Sequence, residues 1–191
     1  MFNQKVILAS QSPRRRELLH LAEIDFEVIV ANTDERYPLG LSFNDVAIHI
    51  AKNKALAVAD KNNTDKIIIA ADTIVVCNGE VIGKPIDEED AVNTISKLSG
   101  NKHTVITGVY IYNKLKEVSF ADVTEVTFHP LSENQINYYV KKYKPFDKAG
   151  AYAIQEWIGA VGIKNINGDF YNVMGLPISR VVAALQEFDF N

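Results

Sequence analysis

The sequence predicts a single α/β domain, residues 1–191, with a mixed β-sheet and flanking helices. Strand and helix patterns follow one another in the order β-α-β-α-β-β-α-β-β-α-β-α, which is typical of this fold class. Residues 66–77 form a near-continuous apolar run, as expected of a strand that is covered on both faces. The pair Asn78-Gly79 then predicts a tight hairpin, so antiparallel pairing is expected in the same sheet.

Composition narrows the function classes. The chain has 191 residues, 47% of them hydrophobic, and a formal net charge of −4. This balance argues against general nucleic-acid binding, which needs a net basic face. Cys77 is the single cysteine, so no disulfide framework is expected. No apolar run approaches the ~20 residues that span a bilayer, and the start lacks a secretory apolar segment. We therefore expect a cytoplasmic protein without membrane or nucleic-acid partners.

The first element is a short buried strand at residues 6–9, followed by a polar turn and a helix. Ser12 is a favoured N-cap, and Pro13 suits the first helical position. Three arginines, Arg14 to Arg16, come next. Each places a positive charge at the positive end of the helix dipole, which destabilises the helix by ~0.3–1 kcal/mol. Helix amides, guanidinium groups and the hydroxyls of Ser10 and Ser12 favour a phosphate site. A solvated basic turn is the alternative.

A lysine interrupts the apolar stripe of the second helix, predicted at residues 44–60 after a strand at 26–30 and a polar loop. Ser42 is the expected cap. The inward stripe is Val46, Ala47, Ile50, Ala51, Ala57 and Val58. Lys54 falls on this stripe. It either extends to water along its apolar stem or reaches into an anion-filled cleft.

Asp72 and Thr73 stand in the middle of the strongest strand signal. A buried carboxylate without a partner costs several kcal/mol, or its pKa rises until the group is neutral. Asp72 is therefore paired, bound to a metal, exposed at a strand end, or capping a turn between two strands.

The remaining elements are predicted from caps and periodicity. Acids at 87–90 open a helix and are interpreted as capping, not as a metal site. Ser132 and Gln135 form a capping box. The further segments are strands at 103–112 and 117–128, a helix at 132–143, a small-residue loop at 147–155, a strand near 161–166 and a final helix from residue 178.

Several catalytic patterns fail. Residues 79–85 resemble a P-loop but have three residues between the glycines instead of four, and Pro85 stands where Ser or Thr should be. G-x-G-x-x-G, G-x-S-x-G and H-E-x-x-H motifs are absent. The four histidines lack metal-ligand spacing and are interpreted as surface or satisfied core residues.

What remains is a set of cations and carboxylates in turns and at strand ends. Its members are Arg14, Arg15, Lys54, Lys84, Lys148, Glu35, Asp72 and Asp147. Phosphoryl transfer needs this mixture, because cations spread phosphate charge while carboxylates hold a metal and orient or deprotonate water. Hard oxygen ligands favour Mg²⁺ or Mn²⁺.

Six segments in order resemble the signatures of the Maf family of nucleotide pyrophosphatases. They are residues 8–15 (LASQSPRR), 71–73 (ADT), 83–85 (GKP), 97–100 (KLSG), 147–155 (DKAGAYAIQ) and 171–177 (YNVMGLP). The resemblance spans nearly the whole chain. It implies an inosine-triphosphatase-like α/β fold of two lobes around a deep cleft. It also implies a metal-dependent reaction that splits a nucleoside triphosphate into monophosphate and pyrophosphate.

The resemblance also assigns roles. Asp72 would be the general base or metal-linked carboxylate, and Glu35 a second one, with Asp34 beside it leaving that assignment open by one position. Lys84 is included in the catalytic set. Substrate binding would fall to Ser10, Arg14, Arg15, Lys54, Lys84, Thr73, Asp147, Lys148 and Gln155. A divalent cation, Mg²⁺ or Mn²⁺, and a possible homodimer complete the implied picture.

Arg14, Thr73 and Gln155 together resemble the branch that hydrolyses dTTP and UTP. A glutamine amide can pair with the donor–acceptor edge of a uracil or thymine ring. The family usually has glycines on both sides of Ile-Gln, whereas Ala153 and Glu156 stand here. Hydrolysis of 7-methyl-GTP or another modified nucleotide, and nucleotide binding by a cell-division regulator, are the alternatives.

Overall fold

The computed structural model describes residues 4–188 and has a mixed α/β architecture. Its strands are β1 (Val6–Leu8), β2 (Phe26–Val28), β3 (Ile68–Cys77), β4 (Glu80–Ile82), β5 (Lys102–Tyr112), β6 (Glu117–Phe128) and β7 (Ile163–Asn167). Its helices are α1 (Pro13–Leu21), α2 (Phe43–Asn62), α3 (Glu88–Leu98), α4 (Glu133–Tyr143), α5 (Trp157–Gly162), α6 (Phe170–Met174) and α7 (Ile178–Gln186). A 3-10 turn covers Ala149–Ala151. Among residues 4–188, no helix has the length and apolarity needed to cross a membrane.

The strands pair in one mixed sheet with the order β2-β1-β3-β5-β6-β7, and β4 pairs with β3. β1 is parallel to both β2 and β3. β4 is antiparallel to β3, and β7 is antiparallel to β6. The predicted mixed sheet with flanking helices is confirmed.

The described residues form two compact units. The first contains the described residues up to Asp72, Thr107–Asp122 and those from Gly175 onward; the second contains Thr73–Ile106 and Val123–Met174. β3, β5 and β6 each contribute residues to both units. Asp72 is therefore the last residue of β3 that belongs to the first unit.

In the first unit, α2 packs on the sheet through small side chains. Ala51, Ala55 and Val58 lie in one buried cluster with residues of β1, β3 and β5. Gly108 in β5 permits this close approach, because a Cβ at that position would lie 2.2 Å from the carbonyl carbon of Ala47. The apolar stripe of α2 thus faces the strands, and Lys54 lies one residue before the buried Ala55.

In the second unit, aromatic rings and α4 form the core. The His103 ring stacks on Phe128 at 5.5 Å between centroids and meets Tyr152 edge-on at 5.4 Å. Tyr139 and Val140 of α4 are fully or nearly fully buried. This core lies under the loop that carries the predicted residues 147–155.

Three predicted helix starts are confirmed with their capping bonds. The Ser42 hydroxyl accepts from the Asp45 amide at 3.2 Å, and the Asp87 carboxylate accepts from the Asp90 amide at 2.8 Å. Ser132 and Gln135 bond reciprocally as a capping box. The acids that open α3 therefore act as caps, as predicted.

The main differences from the predictions lie where packing overrides local pattern. All seven strands and five of the helices were expected, but α5 and α6 were not. Val161, predicted to begin a strand, belongs to α5, and β7 starts at Ile163. α5 contains two glycines, which disfavour a helix, yet both are needed for close packing. A Cβ on Gly159 would lie 1.7 Å from the Ile154 carbonyl oxygen, and one on Gly162 would lie 3.1 Å from the Phe128 ring.

Smaller differences concern burial. β2 ends at Val28 instead of residue 30, and Val28 is exposed. Ala57 of α2 is half-buried while Ala55 takes the core position. A straight 3.6-residue count cannot decide between neighbouring small residues at the edge of a helix face.

Candidate active site

The turn after β1 places an arginine in the interior. Ser10 and Arg15 are both buried, at 6% and 8% exposure. Arg15 Nη1 donates to Ser10 Oγ at 3.1 Å, and Arg15 Nε donates to the Gly175 carbonyl at 2.7 Å. Burial lowers the pKa of the Arg15 guanidinium, while the negative charges of Asp72 and Glu35 oppose that effect. This cation thus lies within the electrostatic reach of both predicted catalytic carboxylates.

α1 begins at the position predicted from the sequence, but its N-cap residue does not cap the helix with its side chain. Ser12 is the N-cap residue and Pro13 the first helical residue, as predicted, but the Ser12 side chain makes no capping bond. The Ser12 amide instead donates to Ser10 Oγ at 3.2 Å. Arg14 is half-buried and Arg16 is exposed.

The Lys54 ammonium forms ion pairs with two carboxylates. Its Nζ lies 2.6 Å from Asp72 Oδ1 and 2.8 Å from Glu35 Oε1. The side chains of Lys54 and Asp72 are only 18% and 14% exposed, whereas that of Glu35 is 53% exposed. Of the two alternatives for Lys54, extension to water is wrong.

The same contact distinguishes Glu35 from its neighbour. Asp34 accepts hydrogen bonds from the backbone amide and the side chain of Arg36. These bonds lower the pKa of the Asp34 carboxyl. Of the neighbours Asp34 and Glu35, it is therefore Glu35 that pairs with Lys54. Asp72 pairs with the same lysine.

Asp72 lies within a continuous strand, since β3 runs without a break from Ile68 to Cys77. The alternative of a turn cap between two strands is therefore wrong. Asp72 is paired with Lys54, one of the options that the sequence left open. Thr73, the next residue, is also half-buried.

A second charged cluster lies in the second unit, on the predicted small-residue loop. Lys148 Nζ lies 2.9 Å from Asp147 Oδ1 and 3.5 Å from Glu156 Oε1. The Lys148 side chain is 8% exposed, and that of Asp147 is 56% exposed. Glu156 also accepts a hydrogen bond from the Tyr139 hydroxyl. Gln155, immediately before Glu156, is exposed.

Lys84 follows β4 and is exposed. The preceding hairpin turn has positive φ at Asn78 and Gly79, 52° and 80°, as the Asn-Gly pair predicts. Residues 79–85 thus form a turn and a strand, which is not the loop-to-helix geometry of a P-loop.

Two residues that contact predicted site residues, Gly175 and Glu156, were not predicted from the sequence. The Gly175 carbonyl accepts from Arg15, and Glu156 pairs with Lys148 and Tyr139. The segment 171–177 was singled out as a motif, but no local pattern shows that a backbone carbonyl binds a guanidinium 160 positions away. Glu156 stood out only as a departure from the pattern around Gln155.

The chemistry of the donors fits a hard divalent cation at the first cluster. The carboxylate oxygens of Glu35 and Asp72 lie 2.8 and 2.6 Å from the same Lys54 ammonium, so the two carboxylates are close enough together to share a cation beside it. Residues 4–188 contain no group of three or more His, Cys, Asp or Glu side chains placed to hold a metal. One or two carboxylates completed by phosphate oxygens and water is the usual arrangement for Mg²⁺.

Comparisons with known sequences agree on one family, and a comparison with solved structures supports the fold. A family model described as Maf-like protein matches residues 5–188. A dTTP/UTP pyrophosphatase of Cytophaga hutchinsonii is 52% identical over 187 residues, which cover 98% of this chain and 85% of that protein. One of Bacillus cereus is 47% identical over 188 residues, covering 98% and 97%. Among solved structures, the Staphylococcus aureus Ham1 protein shares the fold, with a TM-score of 0.54, 16% identity and coverage of 97% and 100%.

Proposed function

This chain belongs to the Maf family, and on that premise we propose that it hydrolyses dTTP and UTP to the monophosphate and pyrophosphate. Relatives that are 52% and 47% identical over nearly its full length are named dTTP/UTP pyrophosphatase. The observation that carries the proposal is the convergence of Glu35 and Asp72 on Lys54, in the electrostatic reach of the buried Arg15.

In the proposed reaction, Asp72 accepts a proton from water as the water oxygen attacks the α-phosphorus. The new bond joins that oxygen to phosphorus, and the bond from the α-phosphorus to the α–β bridging oxygen breaks, releasing pyrophosphate. A positioned carboxylate base contributes roughly 10²–10⁴-fold to such a step. Lys54 holds the carboxylates of Asp72 and Glu35 close to each other despite their like charge.

Glu35 and Asp72 would hold Mg²⁺ or Mn²⁺ together with oxygens of the substrate. When bound, the cation would neutralise charge that develops on the phosphate oxygens. The fit rests on the hard carboxylate donors and on their common approach to one cationic position.

Arg15 and Ser10 support the proposal as parts of a triphosphate site. Arg15 is fixed by Ser10 and by the Gly175 carbonyl, so its charge is held in place before substrate arrives. Preorganised cations of this kind stabilise charge in the transition state at no cost of reorganisation. Arg14, Lys84, Asp147 and Lys148 are proposed to bind or support the phosphates.

Thr73 and Gln155 are proposed to read the base. The exposed amide of Gln155 offers one donor and one acceptor, which match the edge of uracil or thymine. Cytosine presents the reverse donor–acceptor order on that edge, so an amide held in one orientation discriminates against dCTP.

The test mixes the purified protein with each member of a panel of nucleoside triphosphates and with Mg²⁺ or Mn²⁺. The release of pyrophosphate is then measured. We expect dTTP and UTP to be turned over fastest, and added chelator to stop release. Preferential turnover of 7-methyl-GTP would replace the proposed substrate. Binding of dTTP without turnover under any divalent cation would instead favour a nucleotide-binding regulator. A cytoplasmic location and a homodimer remain predictions.

A further inference from the structure

Glu156 has an unusual position for a charged residue: it follows Gln155 directly and begins α5. It is the N-cap of that helix, but its side chain makes no capping bond. The carboxylate reaches elsewhere, with one oxygen on the Tyr139 hydroxyl and the other 3.5 Å from Lys148 Nζ. Its side chain is 22% exposed, so these contacts are partly shielded from water.

The Tyr139 hydroxyl holds the segment around Gln155 from both sides. It accepts a hydrogen bond from the Ala153 amide at 3.2 Å and donates one to Glu156. Tyr139 is itself fully buried in α4, so the hydroxyl is a fixed anchor. The residue two before Gln155 and the residue after it are thus tied to the same atom.

The backbone of the segment is also closely packed. The Glu156 amide donates to the Ala153 carbonyl at 3.1 Å, and the Gly159 amide donates to the Glu156 carbonyl at 3.0 Å. Gly159 approaches so near to Ile154 that a Cβ there would lie 1.7 Å from the Ile154 carbonyl oxygen. Gln155 is exposed, whereas the two residues before it, Ala153 and Ile154, are each only 4% exposed.

Lys148 explains why an acid stands at position 156. Its side chain is 8% exposed, and a buried ammonium is strongly destabilising unless paired. Asp147 supplies one counter-charge but is itself more than half exposed, whereas Glu156 is the more shielded partner. The negative charge beside Gln155 is therefore engaged by Lys148 and Tyr139.

We propose that Glu156 is a positioning residue for base recognition: its carboxylate links Lys148 to Tyr139 and so holds the backbone on either side of Gln155, which places the Gln155 amide for uracil or thymine. This role rests on the proposed function, because it takes Gln155 as the group that reads the base. It predicts that Glu156 governs nucleotide preference and nucleotide affinity and leaves the chemical step nearly untouched.

The experiment compares Glu156→Ala, Glu156→Gln and Tyr139→Phe with the unaltered chain, using dTTP, UTP and dCTP. For Glu156→Ala we expect KM for dTTP and UTP to rise about tenfold, kcat to change less than twofold, and the preference for dTTP over dCTP to fall about tenfold. Glu156→Gln keeps an acceptor for Tyr139 but removes the charge, so a smaller effect, about threefold, is expected. Tyr139→Phe should reproduce the loss of preference.

Combining Tyr139→Phe with Glu156→Ala should add little to either change, because both act on one network. The matched control is Glu125→Gln, which also removes a carboxylate paired with a lysine and an amide in the second unit. It should alter neither KM nor preference. Thermal unfolding of each variant identifies losses of stability, which by themselves do not change the ratio of dTTP to dCTP turnover.

The outcomes separate the two proposals. If the unaltered chain hydrolyses dTTP but Glu156→Ala keeps its preference and KM, or lowers only kcat, the positioning role is overturned and the proposed function stands. If the unaltered chain neither hydrolyses nor binds dTTP or UTP, measured by pyrophosphate release and by calorimetry, the proposed function fails and the base-reading role fails with it.

Discussion

Each compact unit contains a lysine between two carboxylates, and the two arrangements differ in instructive ways. Lys54 meets Asp72 and Glu35 at 2.6 and 2.8 Å, and Lys148 meets Asp147 and Glu156 at 2.9 and 3.5 Å. In both, one carboxylate is more than half exposed and the other is largely shielded.

The shielded carboxylates have different second partners. Glu156 is held by a neutral hydroxyl that also binds the backbone, whereas Asp72 feels the charge of the buried Arg15. The Lys54 cluster also joins three separate segments: the loop before α2, α2 itself and β3. The Lys148 cluster lies mostly in one loop. An assembly of charges from distant segments suits chemistry on a charged substrate, while a local network with backbone bonds suits positioning.

The largest expected effect is the loss of kcat on substitution of Asp72, which tests whether this residue acts as a base or only as an ion-pair partner. Asp72→Asn should lower kcat for dTTP about 10³-fold, because it removes the proposed base while keeping the shape. Asp122→Asn is a matched control, since Asp122 is also 14% exposed and pairs with Arg180 at 2.8 Å. Stopped or steady-state assays of pyrophosphate release measure both. Equal losses in the two variants would show that Asp72 acts only as an ion-pair partner.

Lowering the pH should reduce the free energy of unfolding, because His103 in the second unit is buried as a neutral ring. Burial lowers its pKa from the ordinary 6.5 to about 4, and its Nε2 is 2.7 Å from the Tyr152 hydroxyl. Because the folded pKa is the lower one, the unfolded chain binds the extra proton as pH falls. The stabilisation is complete above pH 6.5 and is lost between about 6.5 and 4, up to ~3 kcal/mol in all.

Urea unfolding at several pH values measures this loss. His103→Phe has no titrating group, so its free energy of unfolding should fall less steeply between pH 6.5 and 4 than that of the unaltered chain. Parallel slopes for the two proteins would refute the assignment to His103.

Exchanging each lysine for methionine compares the two clusters directly. Lys148→Met leaves the shielded Glu156 without its cation and should cost about 2 kcal/mol in the free energy of unfolding, less than the 3–5 kcal/mol of a fully buried pair. Lys54→Met should cost less stability, because the shielded Asp72 keeps its favourable interaction with the charge of Arg15, but it should lower kcat about tenfold or more. Urea titrations and steady-state kinetics on both variants decide the matter. The reverse order of effects would contradict the division into reactive and positioning clusters.

The smallest expected effect is that of Arg16, and its buried neighbour Arg15 provides the contrast. Arg16 is exposed, so Arg16→Ala should change stability by less than about 0.5 kcal/mol and leave KM unaltered. Arg15→Lys loses the fork that binds Ser10 and Gly175, and KM for dTTP should rise about tenfold. If both variants behave alike, the buried arginine has no special part in binding.

Local signals predicted most of the fold. The apolar run at β3, the Asn-Gly turn and the caps at Ser42, Asp87 and Ser132 each depend on residues within a few positions, and each is confirmed. α5 was missed because its two glycines disfavour a helix locally, and contacts with Ile154 and Phe128 hold it.

The candidate site was less predictable. The residue types were identified from motifs, but the choice of Glu35 over Asp34 depended on which carboxylate reaches Lys54, nineteen positions further along the chain. The partner of Arg15 at Gly175 lies 160 positions away. Such pairs join elements whose spacing in the sequence carries no information on their distance in space.

By itself the sequence determined the strands, five of the helices, the α/β class and a set of charged residues suited to phosphate chemistry. Helix and strand propensity, capping and periodicity depend on residues a few positions apart, so they can be identified from the sequence. Tertiary structure decided which charges meet: Lys54 with Asp72 and Glu35, Arg15 with Ser10 and Gly175, and Glu156 with Lys148 and Tyr139. Partially buried charges are stabilised by partners within about 4 Å, and only the packed strands and helices bring those partners within that distance.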